Sequence, residues 1–346
     1  MKYIKYNDAY NFIYRTFLKV GVNDFSAKTT AKGIAEASLR GIDSHGIRLF
    51  DHYLNCFVEG RKNKNPKFKI IKKFPCLISL DADHAAGLAA GIKAIETSIK
   101  ITNKYGICAT SVYNSSHPGA LSSIALRAAE ENLICIAFTN ADNLILSHGG
   151  TRSYFGTNPI CITAPRDKKE PYCLDMAQSK MTWNKLNMIK NNNQQMNDFL
   201  AADISGITTK DPSKAKSLYP IGDYKGYALA SAIEMFCSIY SGMPFGRHIY
   251  KMFEVPLSTK RKISQFYITL RCDGVISSNK FISSLTKMSK EVRNEPSLKK
   301  QKVMMPNDPQ IKISKIRLKK GIPLDNSLCK KFKDISSKYS TNLKIF

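Results

Sequence analysis

The sequence predicts an α/β protein, and three observations carry this prediction. From residue 76 onward, short apolar strands alternate with amphipathic helices, which is typical of helices packed on a sheet. The chain has 346 residues, 43% of them hydrophobic, which is enough for two or three packed lobes. No GxGxxG follows any strand and no P-loop is present, so neither a standard Rossmann loop nor a P-loop holds a nucleotide here.

The first 75 residues are predicted to be mainly helical. Apolar residues at helical spacing predict helices over 7–20, 26–39 and 48–58. Asn7 is a suitable cap for the first helix, and Gly60 ends the third. The segment 63–75 is polar and bounded by prolines, so we expect a connector there.

The remainder of the chain supplies the alternating elements. Strands are predicted over 76–81, 107–113, 133–139, 160–164, 172–176 and 265–271, and helices over 85–105, 121–131, 226–242 and 281–292. The helix over 226–242 is so apolar that we expect it at the centre of the core. Residues 184–197 are rich in Asn, Lys and Gln and are predicted to be exposed. From residue 299 the chain is basic, with short apolar pieces that pack weakly alone.

The net charge of +26 is compatible in principle with a nucleic-acid partner. The basic residues are mostly lysines, however, and they are dispersed rather than interleaved with aromatic residues as in a single-strand groove. Because Asn and Ile are also abundant, we attribute the excess to drift of surface positions in an AT-rich genome. We therefore expect no specific nucleic-acid partner, only a mild attraction for anions.

Cysteine usage and hydropathy predict a cytoplasmic protein with no membrane partner. No apolar run approaches the roughly 18 residues of a membrane span, and the N-terminus has no long apolar signal region. Nine cysteines are scattered without a CxxC pair, which indicates free thiols in a reducing compartment and no zinc ribbon. We expect no metal site.

Two histidines are candidates for proton transfer. His117 follows a predicted strand in a turn rich in Ser, Pro and Gly, where open α/β sheets place ligands. His45 and Arg48 stand three residues apart beside Ser44, so an imidazole and a carboxylate-binding guanidinium share one helical face. Alternatively, His117 is an ordinary loop residue, Ser44 a helix cap and Arg48 a solvated charge.

Three further segments are compatible with a bound ligand. Residues 156–158 (Gly-Thr-Asn) form a turn before a strand, and such a turn lets a ligand approach the backbone. Asp175 ends a strand, where it either binds a ribose hydroxyl or caps a turn. Lys225 opens a helix and either contributes to a phosphate pocket or lies on the surface.

The order of these motifs is more specific than any one of them. It runs through residues 41–46 (GIDSHG), 80–83 (LDAD), 117–120 (HPGA), 156–159 (GTNP), 174–177 (LDMA) and 225–227 (KGY). This series resembles the type 2 malate/L-lactate dehydrogenase family over nearly the whole chain. The resemblance implies the non-Rossmann α/β fold of that family, with a helical N-terminal region and a mixed-sheet cofactor domain. It also implies a homodimer, NAD or NADP as cofactor, and interconversion of a 2-hydroxy acid with its 2-oxo form.

Within the family, the chain resembles the ureidoglycolate dehydrogenases most. That resemblance rests on residues 242–247 (GMPFGR), 252–253 (MF), 265–268 (QFYI), 183 and 185, 208–209 (TT) and 211–212 (DP). It implies oxidation of (S)-ureidoglycolate to oxalurate with NAD, in allantoin degradation. The alternatives are malate, lactate or 2,3-diketogulonate as substrate, and a decayed enzyme with a basic binding surface.

The resemblance also implies a role for each matching position and a division of the chain. His117 matches the general base, and His45 matches a histidine that other members use as proton donor or acceptor. The positions matching substrate contacts are Ser44, Arg48 and Asn158, and those matching cofactor contacts are Ala141, Gly156, Thr157, Asp175, Met176, Ala177 and Lys225. The expected domains are residues 1–75 packing with 300–346, a catalytic and cofactor-binding domain over 76–250, and a C-terminal region over 251–346 that completes the substrate and dimer domain.

Four positions depart from the family pattern. Arg48 stands three residues after His45, where many members have the arginine four after, and one residue turns a helical side chain by about 100°. Ala141 stands where the ureidoglycolate enzymes have a cofactor-binding serine, and Asn184 replaces a glycine. Asn307 stands between Pro306 and Asp308, where a Pro-Gly-acid turn is usual. These departures are compatible with reduced activity.

Overall fold

The structure, a computed structural model, describes residues 2–167 and 170–346 and shows a seven-stranded mixed sheet covered by helices, with two further two-stranded sheets. Its strands are β1 (Lys2–Ile4), β2 (Lys69–Phe74), β3 (Leu77–Asp81), β4 (Ile107–Ser115), β5 (Leu133–Thr139), β6 (Ile160–Asp167), β7 (Glu170–Met176), β8 (Ala201–Ala202), β9 (Ser217–Leu218), β10 (Ile263–Arg271) and β11 (Ile322–Leu324). Its α-helices are α1 (Tyr6–Lys19), α2 (Asp24–Leu39), α3 (Phe50–Val58), α4 (Gly87–Tyr105), α5 (Ser122–Glu130), α6 (Trp183–Asn191), α7 (Tyr224–Glu234), α8 (Ser278–Arg293), α9 (Asp308–Lys320) and α10 (Asn326–Tyr339). The predicted α/β class and mixed sheet are confirmed.

The main sheet has seven strands in the order β2-β3-β4-β10-β5-β6-β7. Only β3 and β4 pair in parallel, and the other neighbours are antiparallel. Strand β10, from late in the chain, lies between β4 and β5, and these three strands form the middle of the sheet. The carboxyl end of β4 therefore lies in the middle of the sheet, beside the first turn of α4, and His117 follows that end.

Strand β2 lies within the segment that we expected to be a connector, so that expectation is wrong. It pairs antiparallel with β3 at the edge of the sheet, and nearly all of its side chains are exposed. Because it packs no apolar face on the core, its sequence lacks the alternation that marks a half-buried strand, and its lysines suit an exposed edge.

Helix α4 packs closely on the centre of the sheet because small residues line its inner face. A Cβ atom at Gly91 would lie 2.6 Å from the Tyr267 hydroxyl of β10, and one at Gly33 of α2 would collide with Leu88. The helix ends at Gly106, whose φ of 85° is left-handed, a conformation that glycine adopts freely.

The chain termini close one side of the molecule. Strands β1 and β11 pair antiparallel, and Phe332 of α10 packs on Phe12 and Phe50, with ring centroids 5.5 and 5.8 Å away. The basic C-terminal segment therefore buries part of its apolar side chains, Phe332 among them, against the N-terminal helices.

Helix α7 is not at the centre of the core, so the expectation for residues 226–242 is wrong. It continues into a π-helical turn, Met235–Ile239, and only one side of it is buried. Ile233 is 1% exposed, whereas Tyr240 is 54% exposed and Leu229 and Met235 also face outward. Apolar content alone does not distinguish a core helix from one with an exposed apolar face.

The starts of two helices differ from the prediction, whereas the cysteines are free as predicted. Lys5, not Asn7, precedes the first turn of α1, and helix α3 starts at Phe50 after two short 3-10 turns. All nine cysteines are free, and Cys76 alone among them is not buried. In the described part of the chain, no helix has the length and apolarity needed to cross a membrane.

Candidate active site

A cavity of about 1100 Å³ lies where the N-terminal region meets the ends of β4 and β7. The segments 40–45, 117–121, 173–177, 182–188, 251–254 and 304–310 contribute most of its wall. Of the predicted site residues, the structure brings eight to this wall: Ser44, His45, His117, Ala141, Thr157, Asp175, Met176 and Ala177.

The turn after β4 holds His117 against the start of α4. The Ser116 hydroxyl accepts from the Gly87 N–H and donates to the Ala85 carbonyl, both at 3.0 Å. A Cβ atom at Gly87 would lie 2.1 Å from the Ser116 carbonyl oxygen, so this approach requires glycine. The backbone around His117 is therefore tightly constrained.

The imidazole of His117 is oriented by Tyr53 of α3. The Tyr53 hydroxyl lies 2.6 Å from His117 Nδ1 and 3.2 Å from the carbonyl oxygen of the same residue. The Gly119 N–H also donates to Nδ1, at 3.3 Å. Because Nδ1 is engaged, Nε2 is the ring nitrogen that remains for a ligand.

His45 faces His117 across a short gap. The two rings are nearly parallel, with centroids 5.5 Å apart and an interplanar angle of 16°, and the Ser44 hydroxyl lies 2.8 Å from His45 Nδ1. Burial lowers the pKa of His45 to about 4. Burial, His45, Arg261 and Lys62 together hold the pKa of His117 well below its ordinary value. Both imidazoles are therefore uncharged at neutral pH, as a general base must be.

Asp175, the next-to-last residue of β7, lies at the amino end of α5. Its Oδ2 accepts from the Ser122 N–H at 2.9 Å, so the carboxylate caps the first turn of that helix. Burial raises its pKa, and the hydrogen bonds from Ser122 and the charge of Arg40 oppose that rise. Met176 and Ala177 follow it along the cavity wall.

Two residues of the glycine-rich turn lie behind the wall. The fully buried Asn158 accepts from the Ala141 N–H at 3.0 Å and donates to the Ala230 carbonyl at 2.9 Å and to Glu234 at 2.6 Å. A Cβ atom at Gly156 would lie 2.4 Å from the Ala141 carbonyl oxygen. Their contacts fasten the turn to α7 and thereby shape the cavity.

Arg48 and Lys225 do not belong to the cavity wall. Arg48 is exposed and forms an ion pair with Asp325 at 2.6 Å. Arg48 lies in the 3-10 turn before α3, one residue earlier than in many family members. Its side chain reaches the start of α10. Lys225 is exposed at the start of α7, with its ammonium 6.0 Å from the Tyr224 ring centroid.

Two of the departures from the family pattern form contacts of their own. Asn307 has a φ of 80°, a left-handed conformation that glycine adopts freely and asparagine tolerates. Its side chain accepts from Arg40 at 2.9 Å and donates to the Pro171 carbonyl at 2.8 Å. Asn184 donates to the Ser44 carbonyl at 2.8 Å. Both asparagines thus tie opposite walls of the cavity together.

Sequence reasoning missed Tyr53, Lys62 and the cationic part of the wall. Tyr53 lies 64 positions from His117, and nothing local marks it as a partner. The described cations on the wall are Arg40, Lys185, Lys216 and Lys251. Trp183, the single tryptophan of the chain, also lies there.

The chain is similar in sequence and in structure to known 2-hydroxy-acid dehydrogenases. The sequence model of the malate/L-lactate dehydrogenase family matches residues 4–333. A ureidoglycolate dehydrogenase (NAD(+)) of Escherichia coli K12 is 30% identical over 274 residues, covering 79% of this chain and 78% of that protein. A malate dehydrogenase of Pyrococcus abyssi is 28% identical, covering 95% of this chain and 93% of that protein. The crystal structure of malate dehydrogenase from Entamoeba histolytica superposes with a TM-score of 0.94 at 26% identity, over 99% of each chain.

Proposed function

Because the chain belongs to the malate/L-lactate dehydrogenase family, whose similar members are hydroxycarboxylate dehydrogenases, we propose that it oxidises (S)-ureidoglycolate to oxalurate with NAD. The observation that carries the reaction type is the pair of uncharged imidazoles, His117 and His45, at the wall of one large cavity. The choice of substrate is supported by similarity to the ureidoglycolate dehydrogenase of Escherichia coli.

The cavity suits a nicotinamide cofactor in size and in its polar groups. Its volume of about 1100 Å³ exceeds the roughly 300–1,000 Å³ of most small-ligand pockets, so it has room for a dinucleotide beside a small acid. Ala120 and Leu121 bring the amino end of α5 to the wall, and Lys185 and Lys216 supply positive charge for phosphates. When bound, the nicotinamide ring accepts a hydride from the carbinol carbon.

His117 serves the reaction in either direction because the Tyr53 hydroxyl has two possible acceptors. When the Nδ1–H of His117 donates to the Tyr53 hydroxyl, instead of Nδ1 accepting from the Gly119 N–H, and Tyr53 donates to the His117 carbonyl, Nε2 is free to take the hydroxyl proton of the substrate. When Tyr53 and Gly119 donate to Nδ1, the ring proton is on Nε2 and faces a keto oxygen as a hydrogen-bond donor. A positioned base of this kind contributes typically about 10²–10⁴-fold in rate.

The substrate carboxylate needs a cation, and Arg48 is engaged by Asp325. We therefore assign the carboxylate to the cations of the wall, of which Arg40 is already oriented by Asn307. Arg48→Ala should then leave KM for the acid within about twofold, because an exposed ion pair is worth only about 0–1 kcal/mol. A KM rise of tenfold or more would return Arg48 to the substrate site.

We also propose that the protein is a homodimer in a reducing, cytoplasmic compartment. The exposed apolar side chains of α7 and its π-helical turn, among them Leu229, Met235 and Tyr240, form a face that suits a second copy of the chain. All nine cysteines are free. Light scattering should give about twice the chain mass of 38.8 kDa, and Tyr240→Asp should halve it. A monomeric wild-type protein would contradict the dimer.

The function is tested with a panel of 2-hydroxy acids and both cofactors, following absorbance of the reduced nicotinamide. We expect turnover of ureidoglycolate with NAD, a loss of 10²-fold or more in His117→Ala, and a smaller loss in His45→Ala. Turnover of malate, lactate or diketogulonate alone would refute ureidoglycolate and retain the reaction class. A larger loss in His45→Ala would make His45 the base.

Cofactor binding has its own readout, independent of turnover. Trp183 is the only tryptophan and lies on the cavity wall, so bound NADH should quench its emission and accept its excitation energy. Quenching by NADPH at lower concentration than NADH would reverse the cofactor preference. Quenching without turnover of any acid would identify a decayed enzyme that still binds the cofactor.

A further inference from the structure

A lysine lies buried in the layer of side chains behind His117. Lys62 is 2% exposed, and its backbone N–H donates to the Cys56 carbonyl at 2.9 Å in the turn that follows α3. This turn directs the side chain inward, toward the face of α3 that carries Tyr53. Neither Lys62 nor Tyr53 is part of the cavity wall, so both act on a ligand only through other residues.

Within residues 2–167 and 170–346, no atom forms a hydrogen bond with the Lys62 ammonium. Its neighbours are aromatic faces: Nζ lies 3.0 Å from the centroid of the Tyr53 ring and 5.7 Å from that of Phe57. Aromatic faces attract a cation but replace only part of its lost hydration. A buried ammonium without a carboxylate is costly, and such groups are concentrated at functional sites.

Tyr53 connects this charge to the imidazole. The Lys62 ammonium lies over the ring face, and the hydroxyl of the same ring lies 2.6 Å from His117 Nδ1. A cation over the ring draws electron density from the hydroxyl and makes it a stronger donor to Nδ1. A donor at Nδ1 and a nearby positive charge both disfavour a second proton on the ring.

The other ionisable groups around this pair come from several elements, and most cations are satisfied. His117 is faced by His45, His52, Lys62 and Arg261, and Lys62 is faced in addition by Cys56 and Arg61. Arg261 forms an ion pair with Asp142, and Arg61 donates to the carbonyls of Met252, Val255 and Pro256 at 2.7–2.9 Å. Lys62 is thus the cation whose charge is least compensated.

We propose that Lys62 is a positioning residue that acts through Tyr53 to keep His117 uncharged, the state in which its Nε2 can exchange a proton with a substrate. The role of that proton exchange rests on the proposed dehydrogenase function, whereas the effect of Lys62 on His117 does not. Burial lowers the pKa of Lys62 to about 7, so its charge is present below that pH, where His117 would otherwise become protonated.

The decisive experiment is a pH titration of His117 by carbon-13 NMR of histidine-labelled protein, without cofactor or substrate. The His117 signal is identified among the six histidine signals as the one that His117→Gln removes. Lys62→Met removes the buried charge, Lys62→Arg retains it, and Lys67→Met removes an exposed lysine from the same segment as a matched control. We expect the His117 midpoint to rise by about one pH unit or more in Lys62→Met and to stay unchanged in the other two variants.

An unchanged midpoint in folded Lys62→Met, or an equal rise in Lys67→Met, would overturn the proposal. If Lys62→Met does not fold, the wild-type protein decides: the His117 signal must show a second inflection near pH 7, where Lys62 loses its proton, and its absence would overturn the proposal. Turnover supplies the link to the reaction, because the acid limb of kcat/KM should move with the NMR midpoint. A protein without turnover but with a shifted midpoint would refute the dehydrogenase function and leave the role of Lys62 intact.

Discussion

The hydroxyl of Tyr53 should control the reactivity of His117, and Tyr53→Phe removes it alone. The remaining ring still packs beneath Lys62, so the shape of the site is kept. His117 Nδ1 is left with the Gly119 N–H at 3.3 Å, which is longer than an ordinary hydrogen bond. Leaving a buried polar group poorly paired costs about 1–3 kcal/mol. With about 2 kcal/mol lost in the transition state, kcat/KM should fall about 30-fold.

The assay is the initial rate of nicotinamide reduction at saturating cofactor, with substrate varied. Tyr267→Phe is the matched control, because Tyr267 is also fully buried and its hydroxyl donates to the Gln265 side chain, away from the cavity wall. Each variant should lose about 1 kcal/mol of unfolding free energy, the usual worth of one such bond, so thermal denaturation shows whether the two are comparably folded.

Only Tyr53→Phe should lose rate beyond the loss of folded protein. A wild-type kcat/KM in Tyr53→Phe would refute the view that this hydroxyl orients the base. An equal loss of rate in Tyr267→Phe would mean that general loosening of the core, rather than His117, explains the effect.

Three further outcomes follow from the same contacts. Asn158→Ala removes three hydrogen bonds and should lower the free energy of unfolding by roughly 2–4 kcal/mol, measured with urea, whereas Asn184→Ala, which loses one bond, should cost about 1 kcal/mol. The pKa of His45 falls from 6.5 to about 4 on folding, so the unfolded chain binds more protons than the folded protein between these pH values. Stability that is present above pH 6.5 is therefore lost toward pH 4, by about 2 kcal/mol at pH 5. A His45→Asn variant whose unfolding free energy depends on pH as steeply as that of the wild type would contradict this. Arg61→Met removes the hydrogen bonds to three carbonyls of the segment 252–256, so we expect faster proteolysis of that segment. We also expect a raised KM for the substrate, because residues 251–254 line the cavity. Unchanged cleavage at that segment would show that Arg61 does not hold it.

Local pattern predicted much of the fold because periodicity reports which face of an element is buried. Strands β4 and β5 and helices α4 and α5 agree with their predicted ranges within about two residues, since their apolar faces are buried at strand or helix spacing. Strand β2 escaped prediction because an exposed edge has no such face. Helix α7 was misplaced because an apolar face is equally apolar whether it is covered by the core or left exposed.

The sequence by itself determined the fold class, the family through the order of its motifs, and the turn that presents His117. The tertiary structure decided which side chains meet there. Tyr53 reaches His117 over 64 positions, β10 enters the sheet between two earlier strands, and Arg48 is drawn to Asp325 near the other end of the chain. These contacts join residues far apart in sequence, whose proximity depends on how whole elements pack, so no local pattern carries them. The same holds for Lys62, which reads as one more surface lysine until the fold buries it against Tyr53.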